Sequence, residues 1–86
     1  MRLISRVAVI TGAASGIGEA TALLFGEEGA KVVVADLDAE GGRKTAAQVR
    51  EKGGEAVFVQ ADISKDSDAK KITDETVRAY SRVDIW

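Results

Sequence analysis

The stretch TGAASGIG occupies residues 11–18 and follows directly on the apolar run VAVI at residues 7–10. That run is short and mostly β-branched, which predicts a strand buried on both faces of a parallel sheet. From Gly16 onward the apolar period is helical, which predicts a first helix over residues 16–28. Three glycines within this junction are more than a turn requires, so we expect a ligand to approach the backbone closely there.

Three further runs have the length and composition of strands: KVVVAD (residues 31–36), EAVFVQA (55–61) and VDIW (83–86). Helical patterns separate them, so the chain follows the order β-α-β-α-β-α-β with short connections. This order predicts an α/β fold, a partial Rossmann fold whose parallel sheet has the order 3-2-1-4. We expect two helices on one face and the third on the other, because the crossover into the fourth strand reverses direction.

The helices are predicted from capping residues and apolar spacing. The first helix should be ended by Gly29, and a second should begin at the N-cap Asp38 and end at Gly53 and Gly54. A third should begin at Asp66 or Ser67. The residues predicted to face inward are Ile17, Ala20, Leu24 and Phe25 in the first helix, Ala39, Gly42, Ala46 and Val49 in the second, and Ala69, Ile72, Thr76 and Tyr80 in the third.

Composition excludes several classes of function. The chain has 86 residues and a net charge of −2, which predicts one domain at most and argues against a nucleic-acid surface. It contains no cysteine and no histidine, so we expect no disulfide and no metal site. No apolar stretch reaches the length of a membrane span, and the N-terminal run is too short for a signal peptide. We expect an intracellular, cytoplasmic protein.

The position of the glycines suggests their purpose. The amino end of a helix presents unpaired N–H groups and partial positive charge, which suit a pyrophosphate. In this interpretation Gly12 makes the tight turn, Gly16 admits the phosphates and Gly18 lets the helix pack closely. Asp36 ends the second strand at the place where an acid binds the adenosine ribose.

Other interpretations of these residues stay open. The glycines could form an ordinary strand-to-helix turn, and Ser15 could be a helix cap, a ligand contact or both. A phosphate-binding P-loop is excluded because it would need glycine and lysine where Ile17 and Gly18 stand. A glycine loop of the methyltransferase type remains a weaker competitor.

The glycine stretch resembles the TGxxxGIG cofactor loop of the short-chain dehydrogenases/reductases. VVVADLD (residues 32–38) is similar to that family's second strand with its cofactor-selecting acid, ADIS (61–64) to its adenine-holding pair, and SRVDIW (81–86) to the lead-in of its fourth strand, with Ser81 in place of the usual glycine. The cofactor-binding residues that the resemblance implies are Gly12, Ser15, Gly16, Ile17, Gly18, Asp36, Leu37, Asp62 and Ile63. From the residues alone, Asp62 could equally be a turn residue.

The resemblance also implies an activity, the transfer of a hydride between a nicotinamide cofactor and a small-molecule alcohol or carbonyl substrate. We expect NAD rather than NADP, because the carboxylate of Asp36 would repel a 2′-phosphate. Neither Ser15 nor Leu37, the neighbouring positions, is basic.

The family's Asn-Ala-Gly stretch and its catalytic Asn, Ser, Tyr and Lys follow the fourth strand, and none maps onto this chain. Tyr80 is followed four residues later by Asp84 and does not fit Tyr-x-x-x-Lys. We therefore expect residues 1–86 to be the N-terminal part of a dinucleotide-binding domain, truncated before the catalytic segment and inactive alone. The alternative is a non-catalytic nucleotide-binding module or a folding fragment.

Self-association is a further expectation. Residues 7–10 and 32–35 are apolar on both sides, and the predicted helices leave part of one sheet face uncovered. A bare apolar face and an open edge strand favour a homo-oligomer that buries the face or pairs the edges, and the alternative is an isolated chain that is only marginally folded.

Overall fold

The computed structural model describes residues 6–13, 16–62 and 64–85. Its elements are β1 (Val7–Thr11), α1 (Gly16–Glu27), β2 (Lys31–Asp36), α2 (Ala39–Glu51), β3 (Glu55–Gln60) and α3 (Asp66–Tyr80). The predicted alternation of three strands with three helices is therefore confirmed, and so is the α/β class. None of the helices in these ranges is long and apolar enough to cross a lipid bilayer.

The sheet places the carboxyl ends of its strands side by side. Its order is β1-β2-β3, with β2 parallel to both neighbours. The register sets Thr11 opposite Ala35 and Asp36 opposite Gln60. The connections that follow the three strands consequently leave the sheet at one edge, here called the carboxyl edge.

The position predicted for a fourth strand is marked by one residue, Ile85, which forms an isolated parallel bridge with Ala8. The Val9 N–H donates to the Ile85 carbonyl oxygen at 2.8 Å. By contrast, β2 bonds to the even-numbered residues in and beside β1: the Lys31 N–H, for example, donates to the Arg6 carbonyl oxygen at 2.7 Å. Successive residues of a strand point their polar groups to opposite sides, so Ile85 lies beside β1 on the side away from β2. This position agrees with the order 3-2-1-4, which stays a prediction for a full fourth strand.

Alternate residues of β2 face two separate cores. Val32 and Val34 pack with small and branched residues of α1 and α2. Val33 and Ala35 pack with Ile72 of α3. Helices α1 and α2 thus cover one face and α3 the other, as predicted. The inward residues predicted for α2 and α3 are confirmed as buried at Gly42, Ala46, Val49, Ile72 and Thr76.

The prediction that strand side chains would be left uncovered is wrong. Val7 and Val9 are 1% and 3% exposed. Val9 belongs to the core on the α3 side, where the partly buried Tyr80 and Val83 extend the packing of the helix. Tyr80, the last residue of α3, and Val83, three residues further on, pack against the core that contains Val9 of β1. An uncovered sheet face is therefore not a reason to expect an oligomer.

The inward face predicted for α1 is also wrong in part. Ile17 and Leu24 are 87% and 54% exposed and Ala20 is exposed as well, whereas Ala22 is fully buried. Helix α1 is apolar on nearly every side, so apolar spacing does not single out one face. Close packing against α2 determines which face of α1 is buried. At Gly26 the two helices lie so close that an added Cβ would be 2.7 Å from Val49 Cγ1. Phe25 is partly buried against the core, as predicted.

The predicted helix ends are confirmed. Gly29 and Gly53 have φ of +94° and +90°, and each is followed by the backbone bond of a Schellman motif. In these bonds the Ala30 N–H donates to the Phe25 carbonyl, and the Gly54 N–H to the Val49 carbonyl, both at 3.0 Å.

Candidate functional site

A cleft of about 140 Å³ opens at the carboxyl edge of the sheet. Four of the predicted cofactor-binding residues line it: Gly12, Asp36, Leu37 and Asp62. The other lining residues are Thr11, Ala35, Ala61 and Ile72. The fold therefore gathers into one cavity predicted residues as distant in sequence as Gly12 and Asp62, because the three strands are parallel and end in register.

Backbone bonds fix the floor of this cleft. The Gly12 N–H donates to the Ala35 carbonyl at 2.9 Å, and the Ala61 N–H donates to the Asp36 carbonyl at 3.1 Å. Strand pairing thus continues one residue beyond β1 and β3. Gly12 and Asp36 are therefore held by backbone hydrogen bonds between strands, and Asp62 directly follows a residue that is held in the same way.

Two glycines of the predicted cofactor loop need their backbone conformation and leave the space before them open. Gly12 and Gly16 have φ of +64° and +62°, a left-handed region that favours glycine. A Cβ built on either would meet no atom within 4 Å. A side chain there would project into the open space beside the start of α1.

Gly18 has a different role. A Cβ on it would overlap the carbonyl oxygen of Gly12 and come within 3.0 Å of Ala13 Cα. Helix α1 consequently lies directly against the turn, as predicted. Ile17 exposes its side chain beside this turn, and Ser15 lies outside the described residues.

Asp36 holds the first turn after β2. Its Oδ1 accepts a hydrogen bond from the Asp38 N–H at 2.9 Å. Asp38 in turn caps α2, as predicted, because its Oδ1 accepts from the Gly41 N–H at 3.0 Å. A carboxylate can accept about four hydrogen bonds, so the turn bond is compatible with donors from a ligand. Leu37 is 60% exposed between the two acids.

Asp62 forms the turn that leads into α3. Its Oδ1 accepts from the Ser64 hydroxyl at 2.6 Å and from the Ser64 N–H at 3.0 Å. The hydroxyl and then the N–H of Ser64 lower the pKa of Asp62 below its ordinary value, against a smaller opposing effect of burial. Asp62 is therefore an ionised hydrogen-bond acceptor at neutral pH. Its turn role is observed, its ligand role stays a prediction, and Ile63 lies outside the described residues.

Sequence reasoning missed two residues of the site. Ile72 lines the cleft from α3, although it was predicted only as a core residue. Thr45 of α2 is fully buried, and its hydroxyl donates to the Ala13 carbonyl oxygen at 2.8 Å. The sequence signal that could have identified Thr45 is its position directly before Ala46, a residue predicted to face inward. Among the described residues, no group of three or more acidic side chains could hold a metal ion.

These features define a class: an α/β protein of Rossmann type with a glycine turn at the start of its first helix. A profile of the short chain dehydrogenase family matches residues 6–86. The chain belongs to the short-chain dehydrogenase/reductase family, whose members are oxidoreductases that use NAD or NADP.

Individual relatives agree with this membership. The chain is 48% identical over 84 residues to tropinone reductase-like 1 of Erythroxylum coca, covering 98% of this chain and 30% of that protein. It is 42% identical over 85 residues to an uncharacterized oxidoreductase of Thermotoga maritima, covering 99% of this chain and 33% of the other. The chain thus spans about a third of the length of these relatives.

A solved structure supports the fold. The hydroxysteroid dehydrogenase of Escherichia coli superimposes with a TM-score of 0.95 at 33% identity. The match covers 98% of this chain and 36% of that protein.

Proposed function

We propose that the protein is an NAD-dependent oxidoreductase that transfers a hydride between nicotinamide and an alcohol or carbonyl. Residues 1–86 would hold the adenosine and diphosphate of the cofactor. One observation carries the proposal: the cleft at the carboxyl edge brings the Gly12 turn, Asp36 and Asp62 together beside the start of α1. The rest of the activity would lie in parts of the protein outside this chain.

The diphosphate is proposed to bind at the Gly12–Gly18 turn. Helix α1 has 12 residues and directs the positive end of its dipole at the turn. Since Gly12 and Gly16 leave open space where a side chain would stand, phosphate oxygens can approach the backbone closely. The residues present therefore fit the group.

The adenosine is proposed to lie across the cleft. Asp36 would accept hydrogen bonds from the two ribose hydroxyls, and the ionised Asp62 would accept from the adenine amino group. A volume of about 140 Å³ is smaller than the roughly 300 Å³ at which pockets for drug-sized ligands begin. The cleft therefore suits one part of a dinucleotide, and the remainder would extend over the glycine turn.

The cofactor, when bound, supplies the hydride chemistry, and this chain's residues would bind and orient it. We assign no catalytic residue within the chain. Tyr80 lies at the opposite edge of the sheet, where Lys31 at the start of β2 stands 5.7 Å from the centre of its ring. Burial, and then the charge of Glu55, raise the pKa of Tyr80, which disfavours its phenolate.

The choice of NAD over NADP follows from the charge of Asp36. A 2′-phosphate on the ribose would meet this carboxylate at close range, and like charges repel. The nearest described neighbour, Leu37, offers no positive charge to offset that repulsion.

The test is to titrate the full-length protein with NAD⁺ and with NADP⁺ and to measure both dissociation constants by calorimetry. We expect NAD⁺ to bind at least about tenfold more tightly than NADP⁺, a difference of about 1.4 kcal/mol in binding free energy. Asp36→Asn keeps an oxygen for the Asp38 N–H while it removes the charge, so it should erode the preference. Asp38→Asn, a matched change two residues away that retains the helix cap, should preserve it.

Tighter binding of NADP⁺ by the wild-type protein would refute the cofactor choice. So would an unchanged preference in Asp36→Asn.

A further inference from the structure

We infer that Thr45 is a positioning residue that sets the glycine turn at the correct distance from Asp36, so that one dinucleotide can reach both. The inference rests on the proposed function. The strongest observation is a buried hydrogen bond between α2 and the turn, two elements that are 32 residues apart in the sequence.

The geometry identifies the bond partner of the hydroxyl. Thr45 is 0% exposed, and its Oγ1 lies 2.8 Å from the Ala13 carbonyl oxygen and 3.2 Å from the Gly41 carbonyl oxygen. A hydroxyl has one proton to donate, and the shorter distance assigns that proton to Ala13. The Gly41 carbonyl is a weaker, intrahelical alternative.

Ala13 depends on this contact. It is 0% exposed, and a buried carbonyl without a donor is destabilising. The turn around it is held from three directions: the Gly12 N–H bonds to Ala35 of β2, Gly18 of α1 packs against Gly12 and Ala13, and Thr45 of α2 bonds to Ala13.

Helix α2 connects this bond to the ribose-binding acid. It begins at the N-cap Asp38, whose N–H bonds to Asp36. Thr45 lies seven residues further along the same helix, about two turns on. Because a helix is rigid over two turns, Thr45 sets how far Ala13, the residue of the turn just beyond the Gly12–Ala35 bond, lies from Asp36. A ligand that spans both places depends on that distance, and a ligand that binds at only one of them does not.

Thr76 provides a matched control. It is likewise 0% exposed, but its Oγ1 donates to the Ile72 carbonyl oxygen at 2.7 Å, inside its own helix. Replacing it with valine removes the same hydroxyl from an equally buried place without touching the turn.

The experiment measures dissociation constants of the full-length protein for NAD⁺, ADP-ribose and adenosine in Thr45→Val, Thr45→Ser and Thr76→Val. We expect Thr45→Val to weaken NAD⁺ and ADP-ribose about tenfold, the effect of one buried hydrogen bond, and to leave adenosine unchanged. Thr45→Ser should restore wild-type binding, and Thr76→Val should match the wild type for all three ligands.

Val49→Ala distinguishes a positioning role of Thr45 from a general effect of α2 on stability, because it removes core packing at the far end of the same helix. It should lower the melting temperature and leave all three dissociation constants unchanged. If Thr45→Val does not fold, Thr45→Cys is the second variant: its thiol is a weaker donor, so an intermediate loss of NAD⁺ affinity is expected.

Three results would overturn the inference alone: unchanged NAD⁺ binding in both Thr45→Val and Thr45→Cys, equal weakening of adenosine, or equal weakening by Val49→Ala. A wild-type protein that binds neither NAD⁺ nor NADP⁺ would overturn the proposed function as well.

Discussion

The two edges of the sheet use glycine for different purposes. At the amino edge, Gly29 and Gly53 have φ near +90° and end α1 and α2 with Schellman bonds. At the carboxyl edge, Gly12 and Gly16 have φ near +60°, and the position of their missing Cβ faces open space beside the start of a helix. The same residue type closes the fold at one edge and leaves room for a ligand at the other.

Side chains of the amino edge likewise serve the fold itself. At the amino edge, Asp84 Oδ2 accepts from the Val7 N–H at 2.9 Å, and Arg50 donates to the Ala56 carbonyl at 2.8 Å. These groups satisfy the backbone of the fold itself. The comparison therefore teaches that amino-edge changes should alter stability alone, whereas carboxyl-edge changes should also alter cofactor binding.

The largest effect is expected for Gly18→Ala, because the new Cβ would collide with the Gly12 backbone, which has no room to yield. We expect a loss of about 3 kcal/mol in the free energy of unfolding, the upper range for overpacking, together with loss of NAD⁺ binding. Urea denaturation and calorimetry measure the two quantities. A wild-type denaturation midpoint would contradict the close packing of α1 on the turn.

The second prediction compares one glycine from each edge. Gly16→Ala and Gly29→Ala should each cost about 1–2 kcal/mol of stability, because both force alanine into a left-handed conformation. Only Gly16→Ala should weaken NAD⁺ binding. If Gly29→Ala weakened it equally, the two edges would not be functionally distinct.

The smallest effect is expected at the amino edge, from Asp84 at low pH. The Val7 N–H lowers the pKa of Asp84 most, Arg82 and Arg6 lower it further, and burial opposes them. A carboxyl whose pKa is lowered by folding stabilises the protein above its unfolded pKa, about 3.9, and this contribution is lost as the pH falls through the lower folded value.

The measurement is the urea midpoint from pH 5 downward. We expect the wild-type midpoint to fall more steeply than that of Asp84→Asn, which removes the titrating charge. NAD⁺ binding at pH 7 should be unchanged in Asp84→Asn. Equal slopes in the wild type and Asp84→Asn would remove Asp84 as the cause.

Much of the fold could be predicted because its signals are local. The cap of α2 needs only Asp38 and the N–H three residues on, and the end of α1 needs only a glycine at position 29. The candidate site followed from the same kind of evidence: glycines directly after one strand and an acid at the end of the next lie together wherever parallel strands end in register. The face of α1 could not be predicted, because its apolar residues surround the helix and contacts with another helix choose among them.

The sequence by itself determined the alternation of strands and helices and the helix caps, since each depends on residues within a few positions of one another. It also determined the short-chain dehydrogenase/reductase family, because each of the motifs that carry the resemblance is only a few residues long. Only the tertiary structure decided that Thr45 bonds to Ala13 and that Asp84 bonds to Val7, across 32 and 77 positions. The tertiary structure also decided that β1 is covered on both faces. The physical reason is that a buried polar group must find a partner, and which partner lies within hydrogen-bond reach is set by how distant segments pack.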